Sequence, residues 1–347
     1  MRITGFNFKP FSIPFRIPFR FGNQVLESKE GLIIEAVDSS GKTGRGTSEP
    51  FEYFGTESLQ KTKELAQLLS ESFMSIGEIQ ITDWLKLVDE KFDNFPAFHS
   101  GVEQALLSLN HQTDPHFLPT LLKNRIKGSV YVNAVIGLEE SKEILNKIET
   151  FIGLGYDTVK IKCGRDRTYH DLKIFMDIRK NFGNSIKLRG DANGKWTKIQ
   201  AVEILKALED QNIEYMEQPV PDFNEFEYLK SRVSTPLAAD ESMKNLDDLE
   251  KIVTAGTADY VVVKPIPAGG LRRSIEIINR AENAGVGAVV TTSMDSVIGK
   301  KLSVLAASYL SCDIRCGLDT SSFFVNDIEN DPYPVSGGKI LLNEISI

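Results

Sequence analysis

Short β-rich runs alternate with helical stretches from about residue 130 onward, and this alternation most constrains the fold. Strands that alternate with helices predict βαβ units and a parallel sheet. Eight such units within about 200 residues favour a compact barrel, although a doubly wound sheet would give the same local pattern. No GxGxxG or GxxxxGK[ST] sequence follows any run, so a nucleotide-binding sheet lacks support. The runs are 130–136, 158–162, 185–189, 213–216, 236–239, 260–263, 288–291 and, more weakly, 314–318.

A charged residue lies at or just beyond the end of five successive runs. The five are Lys162, Asp191, Glu217, Asp240 and Lys264. Neighbours in this set are 23 to 29 residues apart, about the length of one strand–helix unit. The carboxyl ends of barrel strands form a single mouth, where active sites lie. We therefore expect two lysines and three carboxylates to meet at one end of the sheet.

The three carboxylates predict a metal site. Asp191, Glu217 and Asp240 would repel one another if they converged without a cation. A hard divalent cation relieves this repulsion, and ligation by oxygen alone favours Mg²⁺ over zinc. Carboxylates from separate strands also leave coordination positions open for a substrate, which suits Lewis-acid catalysis.

The lysines indicate proton transfer. Lys160 and Lys162 are two residues apart, so on an ideal strand they point to the same side. A cationic neighbour and a nearby metal both disfavour the protonated amine of Lys162, which could then act as a base. Lys264 would approach from the opposite side of the mouth. A base beside a metal-bound carboxylate predicts abstraction of the α-proton of a small carboxylate substrate, with the metal stabilising the enediolate.

Two other hypotheses remain open at this stage. A metal-free aldolase could use Lys264 to form a Schiff base, but the three acids would then have no role. The barrel could instead serve as a binding or scaffold protein, although the full set of acids and lysines argues against that reading.

The residues before the barrel predict an α+β region. A strand is expected over 32–37, followed by a turn at 39–42. Helical spacing covers 57–73, 79–91 and 97–110, and Leu65, Leu68, Leu69 and Phe73 fall on one face of the first helix. Two loops are expected, over 19–30 and over the aromatic segment 50–55.

Composition narrows the class of protein. Forty Lys and Arg against 48 Asp and Glu give a net charge of −8, which argues against nucleic-acid or membrane partners. The cysteines, Cys163, Cys312 and Cys316, form no CxxC pair and no zinc spacing, so a reducing compartment is expected. No apolar run reaches membrane-spanning length. We expect a soluble, cytoplasmic protein, and homo-oligomerisation stays open.

The motifs around the charged residues closely resemble the enolase superfamily, specifically its muconate lactonizing enzyme subgroup. The resemblance implies a modified TIM barrel, (β/α)₇β, with an N-terminal α+β capping domain over 1–125, a barrel over 126–320 and a C-terminal segment over 321–347 that returns to the cap. It also implies Mg²⁺ on the three carboxylates, with the catalytic residues Lys162 and Lys264 flanking the substrate. The matching motifs are Lys-Ile-Lys at 160–162, Asp-Ala-Asn at 191–193, Glu-Gln-Pro at 217–219, Ala-Asp-Glu-Ser at 239–242 and Val-Lys-Pro at 263–265.

Within the subgroup, segments 96–106, 291–299 and 316–320 resemble o-succinylbenzoate synthases. That resemblance implies a dehydration in menaquinone biosynthesis. The alternative is a dipeptide epimerase or an N-succinylamino acid racemase. Dipeptide epimerases usually carry an Asp-x-Asp pair on the last strand that binds the substrate ammonium group. Here Asp319 is present, but the position of the first Asp is Gly317.

Further residues are predicted to bind substrate or to support the metal site. The resemblance and the barrel position of the segment 293–299 predict that a helix begins there and that its N-terminus faces a carboxylate. The residues of this wider set are Lys160, Asn193, Glu241, Ser293, Asp295 and Asp319.

Overall fold

An antiparallel sheet and four helices form the N-terminal part of the chain, here called the cap. The computed structural model describes residues 2–21, 24–72, 77–165 and 168–347. Within those ranges the cap strands pair in the order β1-β2-β3. They are β1 (Ile3–Phe21), β2 (Gln24–Asp38) and β3 (Thr43–Ser48). The cap helices are α1 (Leu59–Ser72), α2 (Ile81–Phe92), α3 (Pro96–His111) and α4 (Phe117–Leu121).

The β1–β2 hairpin is longer than the sequence predicts. Phe19 pairs with Leu26 and Phe21 with Gln24, so the segment 19–30, which we expected to be a loop, belongs largely to paired strands. The expectation of a loop was wrong because the antiparallel pairing of β1 with β2 continues to Phe21 and Gln24, while residues 22 and 23 lie outside the described residues. The turn at 39–42 is confirmed, since Gly41 has a φ of 83°.

The first cap helix buries a narrower face than its spacing predicts. Leu65 and Leu69 are buried, but Leu68 is 50% exposed. Leu68 was therefore wrongly assigned to the buried face, and Phe73 lies outside the described residues. The buried residues of the helix, Thr62, Leu65, Ala66 and Leu69, follow the i, i+3, i+4, i+7 spacing of one helical face.

Helix α3 lies directly against the sheet because two strand residues have no side chain. A Cβ atom at Gly44 would lie 2.2 Å from the Ala105 carbonyl oxygen, and one at Gly46 would lie 2.2 Å from that of Gly101. Glycine thus allows the backbones of β3 and α3 to approach closely. Almost every residue of α3 from Ala97 to Asn110 is buried as a result.

Parallel strands form the barrel that follows the cap. Within the described residues seven strands pair in the order β11-β10-β9-β8-β7-β6-β5. They are β5 (Ala134–Ile136), β6 (Thr158–Lys162), β7 (Lys187–Asp191), β8 (Ile213–Glu217), β9 (Leu237–Ala239), β10 (Tyr260–Val263) and β11 (Gly287–Val290). The connecting helices are α5 (Ser141–Gly153), α6 (Thr168–Phe182), α7 (Lys198–Ala207), α8 (Phe226–Lys230), α9 (Leu246–Ala255), α10 (Pro265–Ala268), α11 (Leu271–Asn283) and α12 (Val297–Tyr309).

The eighth position of the barrel is a two-residue pairing. Cys316 pairs in parallel with Val132, and Gly317 pairs in parallel with Thr291, so these two residues join β11 to the chain before β5. The run 130–136 was predicted as one strand, and that was wrong. The run is divided between the end of β4 (Ser129–Tyr131), which pairs antiparallel with β12 (Lys339–Leu341), and β5.

Several contacts join the cap to the rest of the chain, among them an aromatic pair and a group of ion pairs. Phe15 of β1 stacks on Phe324, with ring centroids 4.9 Å apart. Arg272 of α11 binds the carboxylates of Asp89 and Glu103, which project from α2 and α3. The domain boundaries proposed from the sequence stay predictions. In the part of the chain that the structure describes, no helix has the length and hydropathy needed to cross a bilayer.

Candidate active site

Strands β6 and β7 place the first lysine beside a carboxylate. Lys162 pairs in register with Asp191, and both lie at the carboxyl ends of their strands. The Lys162 Nζ atom donates to Asp191 Oδ2 at 2.6 Å and to Asn193 Oδ1 at 2.8 Å. Asp191 is 1% exposed. Burial alone would raise its pKa, but Lys162 and Lys160 outweigh that effect and hold the pKa well below its usual range.

Lys160 joins the next strand to the same group. Its Nζ atom donates to Glu217 Oε1 at 2.8 Å and lies 3.3 Å from Asp191 Oδ2. Lys160 and Lys162 therefore reach the same carboxylate, as their two-residue spacing predicts. Burial would lower the pKa of Lys160, but Glu217 and Asp191 raise it above its usual value. Burial and the neighbouring Asp191 raise the pKa of Glu217.

The second lysine approaches from another side of the mouth. Lys264 directly follows β10, which is separated from β6 by three strands of the sheet. Its Nζ atom donates to Asp240, which follows β9. The ring of Phe54, a cap residue, covers this amine with its centroid 4.2 Å from Nζ. Burial lowers the pKa of Lys264 to about 7.

The donor set fits a hard cation in its chemistry. Asp191, Glu217 and Asp240 are 1%, 1% and 6% exposed and offer only oxygen ligands. Two of them already converge on one positive group, because the Lys160 ammonium contacts both Asp191 and Glu217. Among the described residues, however, no three His, Cys, Asp or Glu side chains stand in a spacing that would hold a metal ion. Each carboxylate faces a lysine instead, so a bound cation would have to displace ammonium groups.

Asn193 and Glu241 connect the carboxylates to one another. The Asn193 backbone N–H donates to Asp191 Oδ1 at 3.1 Å, and its Nδ2 atom donates to Glu241 Oε1 at 2.9 Å. The φ of Asn193 is 46°, in the left-handed region that asparagine tolerates better than most residues. Burial and Asp191 raise the pKa of Glu241. Both residues lie in the predicted site.

Gln218 holds the next loop and was assigned no role from the sequence. Its Oε1 atom accepts from the backbone N–H groups of Asp240 (3.0 Å) and Ser242 (3.2 Å). Its Nε2 atom donates to Ser242 Oγ at 2.7 Å and to the Val220 carbonyl at 2.9 Å. The side chain is fully buried, and its four bonds fix the loop that carries Asp240. Its place inside the Glu-Gln-Pro motif is the signal that would have found it.

Ser293 and Asp295 lie in a buried junction with the cap. Asp295 Oδ1 accepts from the Ser293 N–H at 3.0 Å and from its hydroxyl at 2.5 Å. Lys29, on β2, donates to the Ser293 carbonyl at 3.3 Å. Burial and the neighbouring Glu49 raise the pKa of Asp295 to about 6. Both predicted residues are thus engaged by protein groups.

The helix end predicted over a carboxylate exists, and the carboxylates belong to the chain itself. The Ser296 N–H, at the start of α12, donates to Glu49 at 2.8 Å. The Val297 N–H donates to Asp327 at 3.1 Å. Glu49 comes from the cap and Asp327 from the C-terminal segment, so the start of α12 joins three parts of the molecule.

Asp319 lies at the last barrel position, and its hydrogen-bond partner differs from those of the lysines and the three carboxylates. Asp319 accepts a hydrogen bond from the Tyr156 hydroxyl at 2.6 Å. In the described part of the chain, its hydrogen bonds do not reach the lysines or the three carboxylates. Gly317 lies against Thr291, and a Cβ atom added there would be 2.8 Å from Thr291 Cγ2. A side chain at this position would therefore require Thr291 to shift.

The cap contributes residues that the sequence did not identify individually. The segment 50–55 was recognised as an aromatic loop, and it contains a short helical turn, Glu52–Phe54. Tyr53 donates to Glu241 Oε1 at 3.2 Å, and Phe54 covers Lys264. Phe54 also lines a pocket at the mouth together with Asp240, Met243, Lys244, Lys264, Pro267 and Ala268.

Known proteins match this architecture over most of the chain. The family model "Enolase C-terminal domain-like" matches residues 143–345. A hydrophobic dipeptide epimerase of Enterococcus faecalis is 28% identical, over 97% of this chain and 94% of that protein. An o-succinylbenzoate synthase of Mycolicibacterium smegmatis is 32% identical, over 63% of this chain and 66% of that protein.

A solved structure confirms the fold class. The Enterococcus faecalis dipeptide epimerase complexed with Mg and the dipeptide L-Leu-L-Tyr superposes with a TM-score of 0.86 and 25% identity. The match covers 100% of this chain and 98% of that chain. The modified TIM barrel with an N-terminal α+β region, expected from the sequence, is therefore the observed fold.

Proposed function

Because the chain belongs to the Enolase C-terminal domain-like family and is an enolase-superfamily enzyme, we propose that it is a Mg²⁺-dependent o-succinylbenzoate synthase. The superfamily resemblance inferred from the motifs is thereby confirmed, while the reaction is our proposal. The substrate would be a succinyl-substituted cyclohexadiene carboxylate, which loses its α-proton and then a hydroxide.

The last barrel position carries the choice of reaction. A dipeptide has an ammonium group, for which the epimerases usually present an Asp-x-Asp pair at this position. Gly317 stands where the first carboxylate would be, and Thr291 fills the space a side chain would need. Asp319, the second position, is held by Tyr156. A substrate without an ammonium group needs neither carboxylate, which supports the synthase.

Separate residues of the site would bind the cation, transfer the proton and exclude water. Mg²⁺ on Asp191, Glu217 and Asp240 would hold the substrate carboxylate and stabilise the negative charge that develops on it. Lys162 would take the α-proton and return it to the leaving hydroxide. In its protonated form, Lys264 would stabilise the enediolate electrostatically from another side of the mouth. Phe54 and the apolar residues of the pocket would exclude water from that side.

A substrate panel tests the proposal. The purified enzyme is incubated with Mg²⁺ in D₂O and offered the cyclohexadiene carboxylate, hydrophobic dipeptides and N-succinylamino acids. We expect dehydration of the first without α-deuteration of the dipeptides. Rapid deuteration of dipeptides without dehydration would contradict the synthase. Addition of EDTA should abolish turnover, whereas full activity in EDTA with borohydride trapping on Lys264 would favour a Schiff-base aldolase.

A dipeptide epimerase is the second candidate. The 28% identity to the Enterococcus faecalis enzyme extends over 97% of this chain, whereas the synthase match covers 63%. Lys162 ends β6 and Lys264 follows β10, with three strands between them, so the two amines could exchange protons on opposite faces of an α-carbon, as an epimerase or an N-succinylamino acid racemase requires.

We also propose that the enzyme acts in a reducing, cytoplasmic setting. Cys163, Cys312 and Cys316 are all free, and two of them are buried. The proposed domain boundaries, 1–125, 126–320 and 321–347, are best tested by limited proteolysis, which should cut first near residues 125 and 320.

A further inference from the structure

The cap reaches both predicted lysines through one short turn. This turn, Glu52–Phe54, lies between β3 and α1. The Phe54 ring covers Lys264 directly, whereas Tyr53 reaches Lys162 through two other side chains. The second connection is longer, and each of its steps is a hydrogen bond.

The connection begins at the lysine. Lys162 Nζ donates to Asn193 Oδ1 at 2.8 Å, so the amide oxygen must face the amine. The amide nitrogen then faces away, and it donates to Glu241 Oε1 at 2.9 Å. A flipped amide would point its nitrogen at the ammonium group and its oxygen at the carboxylate, and both contacts would be repulsive. Glu241 therefore fixes which way Asn193 faces.

Tyr53 completes the connection from the cap. Its hydroxyl donates to the same Glu241 oxygen at 3.2 Å. Two donors on one oxygen hold the carboxylate in a single orientation, and hydrogen bonds to charged groups are stronger than those between neutral groups. Tyr53 is 39% exposed, so its hydroxyl is not needed for the packing of a core.

We propose that Tyr53 is a positioning residue, which orients Lys162 through Glu241 and Asn193 and so makes the base competent only when the cap turn is in place. The inference rests on the proposed role of Lys162 as the base. A misplacement of about 1 Å at a reacting group can cost on the order of 100-fold in rate. The loss of one weak hydrogen bond at the far end of this connection can therefore lower the rate substantially.

The test compares Tyr53→Phe with Tyr169→Phe, a control at an exposed position on α6. In Tyr53→Phe we expect kcat to fall about tenfold, which corresponds to about 1.4 kcal/mol and to the loss of one bond to a charged group. KM and Mg²⁺ affinity should stay within about twofold, since neither depends on the lysine's orientation. The deuterium isotope effect on kcat should rise, because proton transfer becomes more rate-limiting.

A double-mutant cycle separates positioning from folding. If Tyr53 acts through Glu241, the Tyr53→Phe/Glu241→Gln variant should be no slower than Glu241→Gln alone. Additive losses, or an unchanged isotope effect in Tyr53→Phe, would overturn the proposal. So would a fall in thermal stability that accounts for the lost activity.

A second readout does not require turnover. In the Mg²⁺-free protein, reductive methylation followed by peptide mass spectrometry reports the environment of each amine. The methylation rate of Lys162 should change by about twofold or more in Tyr53→Phe but not in Tyr169→Phe. Lys173, an exposed lysine on α6, serves as an internal reference. Equal rates would overturn the positioning role. Failure of the wild type to turn over any substrate of the panel would overturn the proposed function alone.

Discussion

Replacement of Arg272 by methionine should destabilise the protein severely. Arg272 donates to Asp89 through both terminal nitrogens, at 2.9 and 2.7 Å, and its Nε atom donates to Glu103 at 2.7 Å. The Glu103 side chain is completely buried, whereas that of Asp89 is 38% exposed. Removal of one partner of a buried ion pair costs about 3–5 kcal/mol. The exposed pair with Asp89 adds about 0–1 kcal/mol.

The same helix supplies a matched control. Arg280 binds Glu250 with a similar two-point geometry, at 2.6 and 2.8 Å, but both side chains are exposed. Arg280→Met should therefore change stability very little. The measurement is the free energy of unfolding from urea denaturation of the wild type and both variants at neutral pH. The two sites differ in burial and in the number of partners, since Arg272 binds two carboxylates and Arg280 binds one.

A rescue variant tests the physical cause. In Arg272→Met, the added substitution Glu103→Gln removes the uncompensated charge, while its amide oxygen can still accept from the backbone N–H of residue 272. We expect the double variant to recover about 1–2 kcal/mol. Equal losses in Arg272→Met and Arg280→Met, or no recovery in the double variant, would refute the argument from buried charge.

Three further outcomes are expected. Asp240→Asn should abolish both Mg²⁺ binding, measured by calorimetry, and turnover, since one of three oxygen ligands loses its charge. The pKa of Asp295 is raised from 3.8 to about 6, so the native chain binds a proton that the unfolded chain does not, and stability should fall as pH rises from about 4 to 6. Asp295→Asn should remove that part of the slope in denaturation curves. Gly317→Ala should cost about 1–3 kcal/mol in the same assay through overpacking, and Thr291→Ser should relieve it.

The strands and the charged residues at their ends could be predicted because both depend on neighbouring residues. The run 260–263 is strand β10, and 158–162 is β6, with unchanged bounds. Each is a short apolar or β-branched run, and each precedes its own helix. The convergence of Lys162 with Asp191 then follows from parallel pairing alone.

Contacts between distant segments could not be predicted. The run 130–136 is uniformly β-rich, and nothing in it signals that its partner changes from β12 to the barrel. Tyr53 and Glu241 are 188 positions apart, so their hydrogen bond depends on how the cap docks. Asp319 was expected near substrate because of its motif, yet its bond to Tyr156 depends on the approach of the loop between α5 and β6.

The two-residue closure at Cys316 and Gly317 has a consequence for synthesis of the chain. Their partners, Val132 and Thr291, belong to opposite ends of the sheet, and the first of these pairs spans more than half the sequence. Until the ribosome has released residue 317, the edges of β5 and β11 keep unpaired N–H and C=O groups that can pair with another chain. Pairings so distant in sequence form slowly. The nascent protein therefore passes through a long interval in which aggregation competes with ring closure.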